Sequence, residues 1–200
     1  MSRKNSRNAR KARSRPTRKP KKRILIVVEG DRQKSEQIYF ETLAQLLRSR
    51  TAHTAIKVIP GRGEPRRVLD VCLTQSKKND YDLICAVVDV DQHTTLEKVN
   101  IQARKVGICV AVTNAKFEQW LLWHVKDMLG TQNNIKTHLI DTKLLRGKNG
   151  KELSHTFPVE NYPQAIKIAQ QHWASMQFNR IGPSPSSAIP CLINYIRDNV

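Results

Sequence analysis

The chain has 200 residues, of which 39% are hydrophobic, and its formal net charge is +18. This length suits one domain of ordinary size, and the chain contains no run of the roughly 18 apolar residues that a membrane span needs. The basic N-terminus lacks the apolar segment and cleavage site of a secretory signal, so we expect a cytoplasmic protein with no membrane partner.

The positive charge is concentrated at the beginning of the chain. Positions 1–23 contain twelve Lys or Arg and no acid, whereas the rest holds twenty-three basic and seventeen acidic side chains, a net +6. A segment of this composition repels itself and buries no core, so we predict a disordered tail that contacts polyanions. The predicted domain organisation is a basic tail over 1–23 and one folded domain over 24–200.

Four short apolar runs predict buried strands, and a segment with helical spacing follows each of them. The strands are predicted at 24–28, 55–59, 83–88 and 108–112, and the helices at 35–48, 64–76, 96–106 and 115–128. This alternation with short connections predicts an α/β protein whose mostly parallel sheet is flanked by helices on both faces.

The C-terminal part is predicted to be helical. Residues 130–160 are polar and fit either a helical excursion or a flexible flap, and helical periodicity returns over 162–173. Ser186 or Ser187 is a suitable N-cap for a last helix. The cysteines lack C-x-x-C spacing, so we expect reduced thiols and no structural zinc site. They are Cys72, Cys85, Cys109 and Cys191.

Three acidic side chains follow two of the predicted strands. Glu29 comes directly after the first strand, and Asp89 and Asp91 come after the third. Open parallel sheets bind ligands beyond the carboxyl ends of their strands, and residues i and i+2 of an extended segment face the same side. Carboxylate oxygens placed in this way suit Mg²⁺ or Mn²⁺. The alternative is a polar strand exit in which one Asp caps the next helix.

Two other enzyme classes place a DxD segment after an apolar strand. Phosphatases of the haloacid dehalogenase type use D-x-D-x-[TV] on their first strand, whereas here the fifth position is His93 and the strand is the third. Glycosyltransferases that hold Mn²⁺ on a diphosphate generally need a larger domain, and the Glu29-Gly30 turn has no role in their chemistry. Both classes fit this sequence poorly.

Several segments of the chain resemble one known family. They are ILIVVEG (24–30) with Glu36 and Tyr39-Phe40, YDLICAVVDVDQH (81–93), TNAKFEQWLLWH (113–124) and, more loosely, the stretches around Tyr162 and over NRIGPSPSS. A strand that ends in Glu-Gly, with DxD on a later strand, resembles the Toprim domain of topoisomerases, primases and related nucleases. Over about residues 24–196 the chain resembles the RloB-like family of bacterial and archaeal Toprim-related proteins.

The resemblance implies a Toprim/Rossmann-like sheet and a nuclease, dependent on Mg²⁺ or Mn²⁺, that acts in defence against phage or other foreign DNA. In that mechanism Asp89 and Asp91 hold the metal, and Glu29 serves as metal ligand or general acid/base. Glu118 and His93 are further candidates for catalysis. The substrate is left open as DNA or RNA. An activating protein partner is expected, because a constitutively active nuclease would harm its host.

Four cations are candidates for contacts with nucleic-acid phosphates, and they fit solvated helix charges equally well. They are Arg62, Arg66, Arg67 and Lys116. The alternative function for the whole chain is a basic nucleic-acid-binding or assembly protein without catalysis, which the tail alone would support. The acidic triad disfavours it, because a pure polyanion binder gains nothing from clustered carboxylates.

His124 and Glu36 are assigned no definite role by the sequence. His124 shares a helix face with Phe117 and Trp120, which predicts a buried, hydrogen-bonded imidazole. The alternative places it with Glu118 at the metal edge, but residues six apart on a helix do not both face one ion, and Glu118 is favoured. Glu36 is left open because the first acidic turn is longer here than is usual in the family.

Overall fold

A computed structural model describes residues 22–48, 54–90, 94–114, 116–128 and 132–198. Within these ranges the predicted α/β architecture is confirmed, because a mostly parallel sheet lies between two layers of helices. The predictions for residues 1–21 of the basic tail, for Asp91 and for His93 lie outside the described residues, whereas Lys22 and Arg23, which were predicted to end that tail, belong to the first strand because they pair with the neighbouring strand. No helix in the described ranges is long and apolar enough to cross a membrane.

The main sheet has five strands in the order β2-β1-β3-β4-β7. They are β1 (Lys22–Val28), β2 (Thr54–Pro60), β3 (Leu83–Asp89), β4 (Cys109–Asn114) and β7 (Ser186–Ser187). The first four are parallel to one another, and β7 pairs antiparallel with the end of β4. The carboxyl ends of β1 to β4 therefore meet at one edge, which we call the carboxyl edge.

Strand β1 is buried on both faces, which explains its continuous apolar sequence. Its side chains alternate between two cores: Ile24 and Ile26 contribute to one, and Leu25 and Val27 to the other. Helices cover both faces. The first core packs against α1 (Ser35–Arg48), α4 (Phe117–Leu122), α6 (Tyr162–His172) and α7 (Ile189–Asp198), and the second against α2 (Pro65–Ser76) and α3 (Leu96–Lys105).

Helix α4 is shorter than the helix predicted over 115–128, since it ends at Leu122. The chain turns instead through 123–125, where the His124 N–H bonds to the carbonyl of Leu121 at 3.2 Å. In a continued α-helix this N–H would bond to the carbonyl of Trp120. That carbonyl lies 3.0 Å from Nδ1 of the His124 ring. A side chain has therefore taken the acceptor that the next helical turn required.

The polar stretch of 130–160 contains a helix and a hairpin, so the helical excursion is the better of the two predicted alternatives. Helix α5 (Gln132–Asp141) is followed by a two-stranded hairpin of β5 (Leu145–Arg146) and β6 (Glu152–Leu153). We call residues 132–153 the insert. It packs into the first core through Leu139 and Leu145, and the backbone N–H of Ser35 bonds to the carbonyl of Lys151 at 3.1 Å. The insert is thus joined directly to the start of α1.

Candidate active site

Glu29 and Asp89 lie side by side at the carboxyl edge, because β1 and β3 are neighbouring parallel strands. Oε2 of Glu29 accepts a hydrogen bond of 3.0 Å from the backbone N–H of Asp89. The backbone of Glu29 is held from both sides: its N–H bonds to the carbonyl of Val87 at 3.1 Å, and its carbonyl accepts from Gly63 N–H at 3.2 Å. The first acidic residue is therefore fixed in both its main chain and its side chain.

The Asp89 carboxylate lies at the start of α4. Its Oδ2 accepts a hydrogen bond of 3.0 Å from the backbone N–H of Phe117, the first residue of that helix. Burial raises the pKa of Asp89 well above its ordinary value, and repulsion from Glu36, Glu118 and Glu29 adds to the shift. The hydrogen bond from Phe117 lowers this pKa only in part. Among the described residues, burial and the neighbouring acids therefore outweigh the hydrogen bond that stabilises the Asp89 anion.

Glu36, whose role the sequence left open, lies beside these acids. It is in the first turn of α1, and its Oε2 accepts a hydrogen bond of 3.2 Å from Ser35 Oγ. A Cβ atom added at Gly30 would come within 2.6 Å of that Oε2, so the glycine allows the carboxylate to approach the backbone. Burial raises the pKa of Glu36, and repulsion from Glu118 and Glu29 contributes. Glu36 therefore lies close to Glu29, Asp89 and Glu118, at the start of the helix that follows β1.

Glu118 is the fourth member of this group, which we call the acidic cluster: Glu29, Glu36, Asp89 and Glu118. It lies in the first turn of α4, one residue after the N–H that holds Asp89. Its side chain is 20% exposed and lies with Oε1 4.0 Å from Nζ of Lys136. The chain thus brings together three acids that the sequence selected and one that it left undecided.

A cleft of about 640 Å³ opens over the acidic cluster. Glu29, Glu36 and Glu118 line it, and four cations share its walls: Lys34, Arg62, Lys136 and Lys151. Two of the lysines already approach a carboxylate, since Lys136 lies near Glu118 and Lys34 lies 3.7 Å from Glu152. Lys136 and Lys151 come from the insert, and the sequence alone gave no reason to select them. Acidic and basic groups together suit a ligand that carries phosphate and is held with a metal ion.

The four cations predicted to contact nucleic acid occupy different places. Arg62 lines the cleft and also a second depression of about 390 Å³, whose walls include Arg66 and Arg67. Arg66 is engaged by its neighbours, since it bonds to Oε1 of Gln102 and lies 3.5 Å from Oδ1 of Asp70. Lys116 is half-buried immediately before α4. Only Arg62 therefore lies at the cleft, and Arg66 and Arg67 continue the basic surface away from it.

The donor atoms of the cleft fit a hard divalent cation by their chemistry. Carboxylate oxygens are the ligands that Mg²⁺ and Mn²⁺ prefer, and a cation would relieve the repulsion that adds to the effect of burial on the pKa values of Asp89 and Glu36. Among the residues the structure describes, no three His, Cys, Asp or Glu side chains are already arranged to hold a metal ion. Asp91, the remaining predicted ligand, lies outside them.

His124 lies in the core and away from the acidic cluster, as its apolar helix face predicts. Its ring is fully buried, with Nδ1 3.0 Å from the carbonyl of Trp120 and Nε2 3.1 Å from the hydroxyl of Tyr39. Because a carbonyl only accepts, Nδ1 carries the hydrogen, and Nε2 accepts from the tyrosine. Burial lowers the pKa of His124 to about 4. The imidazole is therefore a neutral, hydrogen-bonded core group.

Comparison with known proteins gives one match. The family model described as RloB-like protein matches residues 24–196, which is nearly the whole of the chain after the basic tail. No curated protein and no solved structure matches this chain.

Proposed function

The chain belongs to the RloB-like protein family, and from that membership and the acidic cleft we propose that it is a metal-dependent nuclease. The proposed reaction is cleavage of phosphodiester bonds in DNA or RNA by a Toprim-type mechanism, with Mg²⁺ or Mn²⁺ as cofactor. The single observation that carries the proposal is the acidic cluster: Glu29, Glu36 and Glu118 line one cleft, and Asp89 lies beside it, bonded through its backbone to Glu29 and through its side chain to the start of α4. Like charges placed close together repel one another, and clusters of this kind are often found where a function uses them.

Asp89 and Glu29 are the proposed metal ligands in the described part of the chain, with Asp91 as the third. When bound, the ion supplies Lewis-acid polarisation of the phosphate and lowers the pKa of a bound water. Glu36 and Glu118 lie close enough to influence the electrostatics of Asp89, and we assign them to the same site. Burial raises the pKa of Glu36, which is the direction of shift that a carboxyl group serving as a general acid requires.

The cations of the cleft would bind the substrate backbone. Lys136 and Lys151 face the acids from the insert, and Lys34 and Arg62 lie nearer the strand ends. Phosphate contacts of this kind position a nucleic acid without reading its sequence. The family resemblance supports a role in cytoplasmic defence against phage or other foreign DNA. We also propose that a partner protein activates the nuclease.

A second candidate function is nucleic-acid binding without catalysis. The observation that favours it is the segment before residue 24, with twelve basic residues and no acid. Such a segment binds polyanions whether or not the cleft is active. The two functions differ in what they require of Asp89: a nuclease loses its activity with this carboxylate, and a simple binder does not.

The test combines thermal melting with a cleavage assay on the full-length protein. An ion that binds only the folded state at about 100 times its Kd adds about 2.7 kcal/mol of stability, or about 5–10 °C in Tm for a chain of this size. We expect Mn²⁺ to raise the Tm of the wild type and to have much less effect on Asp89→Asn. Asp70→Asn is the matched control, since Asp70 is an exposed acid of α2 outside the cleft.

Supercoiled plasmid DNA and total transfer RNA are the two substrates for the cleavage assay, each with and without Mg²⁺ or Mn²⁺. We expect cleavage by the wild type and by Asp70→Asn, and none by Asp89→Asn, because the amide has nearly the same volume but no charge to hold the metal. If Mn²⁺ shifts no melting curve, or shifts all three equally, the cleft is not a metal site. Binding without catalysis then becomes the better account.

A further inference from the structure

The edge of the sheet opposite the acidic cluster is basic. In a sheet of this type the strands begin where the preceding helices end, so both contribute residues to this second edge. Six exposed cations lie there, and we call them the basic edge: Arg23 and Lys57 from β1 and β2, Lys77 and Lys78 after α2, and Arg104 and Lys105 at the end of α3. One edge of the sheet therefore carries the acidic cluster, and the other carries a group of basic side chains.

Contacts within the basic edge bring its strand and helix residues together. Arg23, Lys57 and Asn79 line one depression of about 190 Å³. The guanidinium of Arg23 lies 5.3 Å from the centre of the Tyr81 ring and donates to Oδ1 of Asn79 at 3.4 Å. Lys77 and Lys78 immediately precede that asparagine, so they adjoin the same depression. Arg23 is thus positioned by an aromatic ring and an amide and not by an acid.

Little negative charge offsets these cations. Two acids, Asp80 and Asp82, lie in the loop between α2 and β3, which also contains Lys77 and Lys78. Oδ2 of Asp82 accepts a hydrogen bond of 2.7 Å from the backbone N–H of Arg23. Across the described ranges, no side chain of the basic edge forms an ion pair with a carboxylate. The segment before Lys22 joins β1 at this edge and adds ten Lys or Arg and no acid over residues 1–21. Positive charge therefore continues from the tail onto the folded domain.

We propose that the basic edge is a second nucleic-acid-binding surface, which binds backbone phosphates separately from the acidic cleft. The two sites are a strand length apart, about 20 Å for the seven residues of β1. Charge complementarity identifies the ligand class, since closely spaced phosphates match a row of exposed ammonium and guanidinium groups whose hydrogen-bond partners in the described ranges, Asn79 and Asn179, carry no charge. This inference does not depend on whether the cleft cleaves.

A purely structural role for some of these cations leads to a different expectation. Lys or Arg at the end of a helix stabilises the helix dipole by a few tenths of a kcal/mol to about 1 kcal/mol. That role is open to Lys77, Lys78 and Lys105, which lie at or just after helix ends, but not to Arg23 or Lys57, which lie on strands. If it were the only role, neutralising the lysines would lower Tm and leave nucleic-acid binding unchanged.

The first test is a lysine footprint on the full-length protein in EDTA, so that no metal-dependent cleavage takes place. Acetylation of each lysine is measured by mass spectrometry with and without a DNA duplex of about 30 base pairs. We expect the duplex to protect Lys57, Lys77, Lys78 and Lys105. Lys143 and Lys167, exposed lysines two residues after α5 and on α6, should remain as reactive as before. Equal reactivity of the basic edge with and without duplex would overturn the proposal.

The second test measures the salt dependence of duplex affinity by fluorescence anisotropy. Each lost phosphate contact reduces the slope of log K against log salt by about 0.9, so Lys77→Gln/Lys78→Gln should reduce it by about 1.8. The control with the same change of charge, Lys143→Gln/Lys167→Gln, should leave the slope unchanged. Equal slopes for both double variants would contradict the proposal. So would protection of the basic edge by phosphatidylserine vesicles but not by duplex, since the surface would then bind lipid.

Discussion

Oε2 of Glu29 accepts the backbone N–H of Asp89 at 3.0 Å, so the side chain of one acid is held by the main chain of the other. This bond does not involve the Asp89 carboxylate, which bonds instead to Phe117 N–H. A change of the Asp89 side chain therefore leaves Glu29 in place. Glutamine at position 29 would keep an oxygen acceptor for the same bond. The two acids can consequently be neutralised one at a time without separating the strand ends.

We expect Asp89→Asn to stabilise the metal-free protein, by about 1 kcal/mol, because it removes a partly buried charge that three other acids repel. The amide oxygen can still accept the N–H of Phe117. Thermal melting in EDTA measures the effect, and Asp70→Asn serves as the control, for which a change within about 0.5 kcal/mol is expected. A large loss of stability in Asp89→Asn would show that its charge is satisfied in the fold.

Lys136→Met should weaken binding of substrate much more than it lowers stability. The ammonium of Lys136 lies 4.0 Å from Glu118 and is partly exposed, and pairs of this kind contribute at most about 1 kcal/mol. In the proposed reaction the same ammonium binds a phosphate of the substrate. KM for cleavage and Tm are the two measurements, with Lys143→Met, two residues after the same helix, as the control. An unchanged KM would remove Lys136 from the site.

Gly30→Ala should reduce activity through Glu36. The new Cβ would meet Oε2 of Glu36 at 2.6 Å, so the end of that flexible side chain must move, at a small cost in stability. The shorter acid in Glu36→Asp should leave room for the methyl group. We therefore expect Gly30→Ala to lower kcat strongly in the wild type and only weakly in the Glu36→Asp background. Additive effects in this double-mutant cycle would mean that the glycine acts by another route.

His124 should make the metal-free protein sensitive to acid. Its pKa falls from 6.5 to about 4 in the fold, so below pH 6.5 the unfolded chain takes up a proton that the folded protein does not. Stability is fully present above pH 6.5 and falls as the pH drops towards 4, by about 2 kcal/mol at pH 5. The raised pKa values of Asp89 and Glu36 act in the opposite direction, because the folded state then binds protons more tightly.

A comparison of variants isolates the imidazole from these acids. Urea unfolding in EDTA at pH 7 and pH 5 should show a smaller loss of stability for His124→Gln than for the wild type. His155→Gln, which replaces an exposed histidine, should show the same loss as the wild type. Identical pH dependence in all three proteins would mean that His124 is not a buried neutral imidazole.

Much of the fold could be predicted because the strands of a parallel sheet are buried on both faces. Runs such as 24–28 and 83–88 are continuous and rich in β-branched residues, and the structure extends them by only one or two positions. The end of α4 could not be predicted, since it depends on one hydrogen bond from the ring of His124 to the chain. The spacing of apolar residues does not show that the ring of His124 bonds to the Trp120 carbonyl in place of the backbone N–H of the same residue.

The same contrast applies to the candidate site. Glu29 and Asp89 follow neighbouring strands, so chain direction alone places them at one edge. Glu36 reaches the cluster because Gly30 allows its carboxylate close to the backbone. Lys136 and Lys151 depend on the packing of the insert against α1. Residues set by strand direction could be selected from the sequence, and those set by packing between distant segments could not.

The bond from Ser35 N–H to the carbonyl of Lys151 joins the start of α1 to a segment that is synthesised more than a hundred residues later. Chains fold from the N-terminus as they leave the ribosome, and β1 to β4 can pair before the insert has been made. At that stage the acids are already present, but the wall that carries Lys136 and Lys151 is missing. A nascent chain or a prematurely terminated fragment would therefore have an incomplete cleft. Among the described residues, the last part of this cleft to be translated is Lys151, so a chain that ends before it lacks the complete cleft.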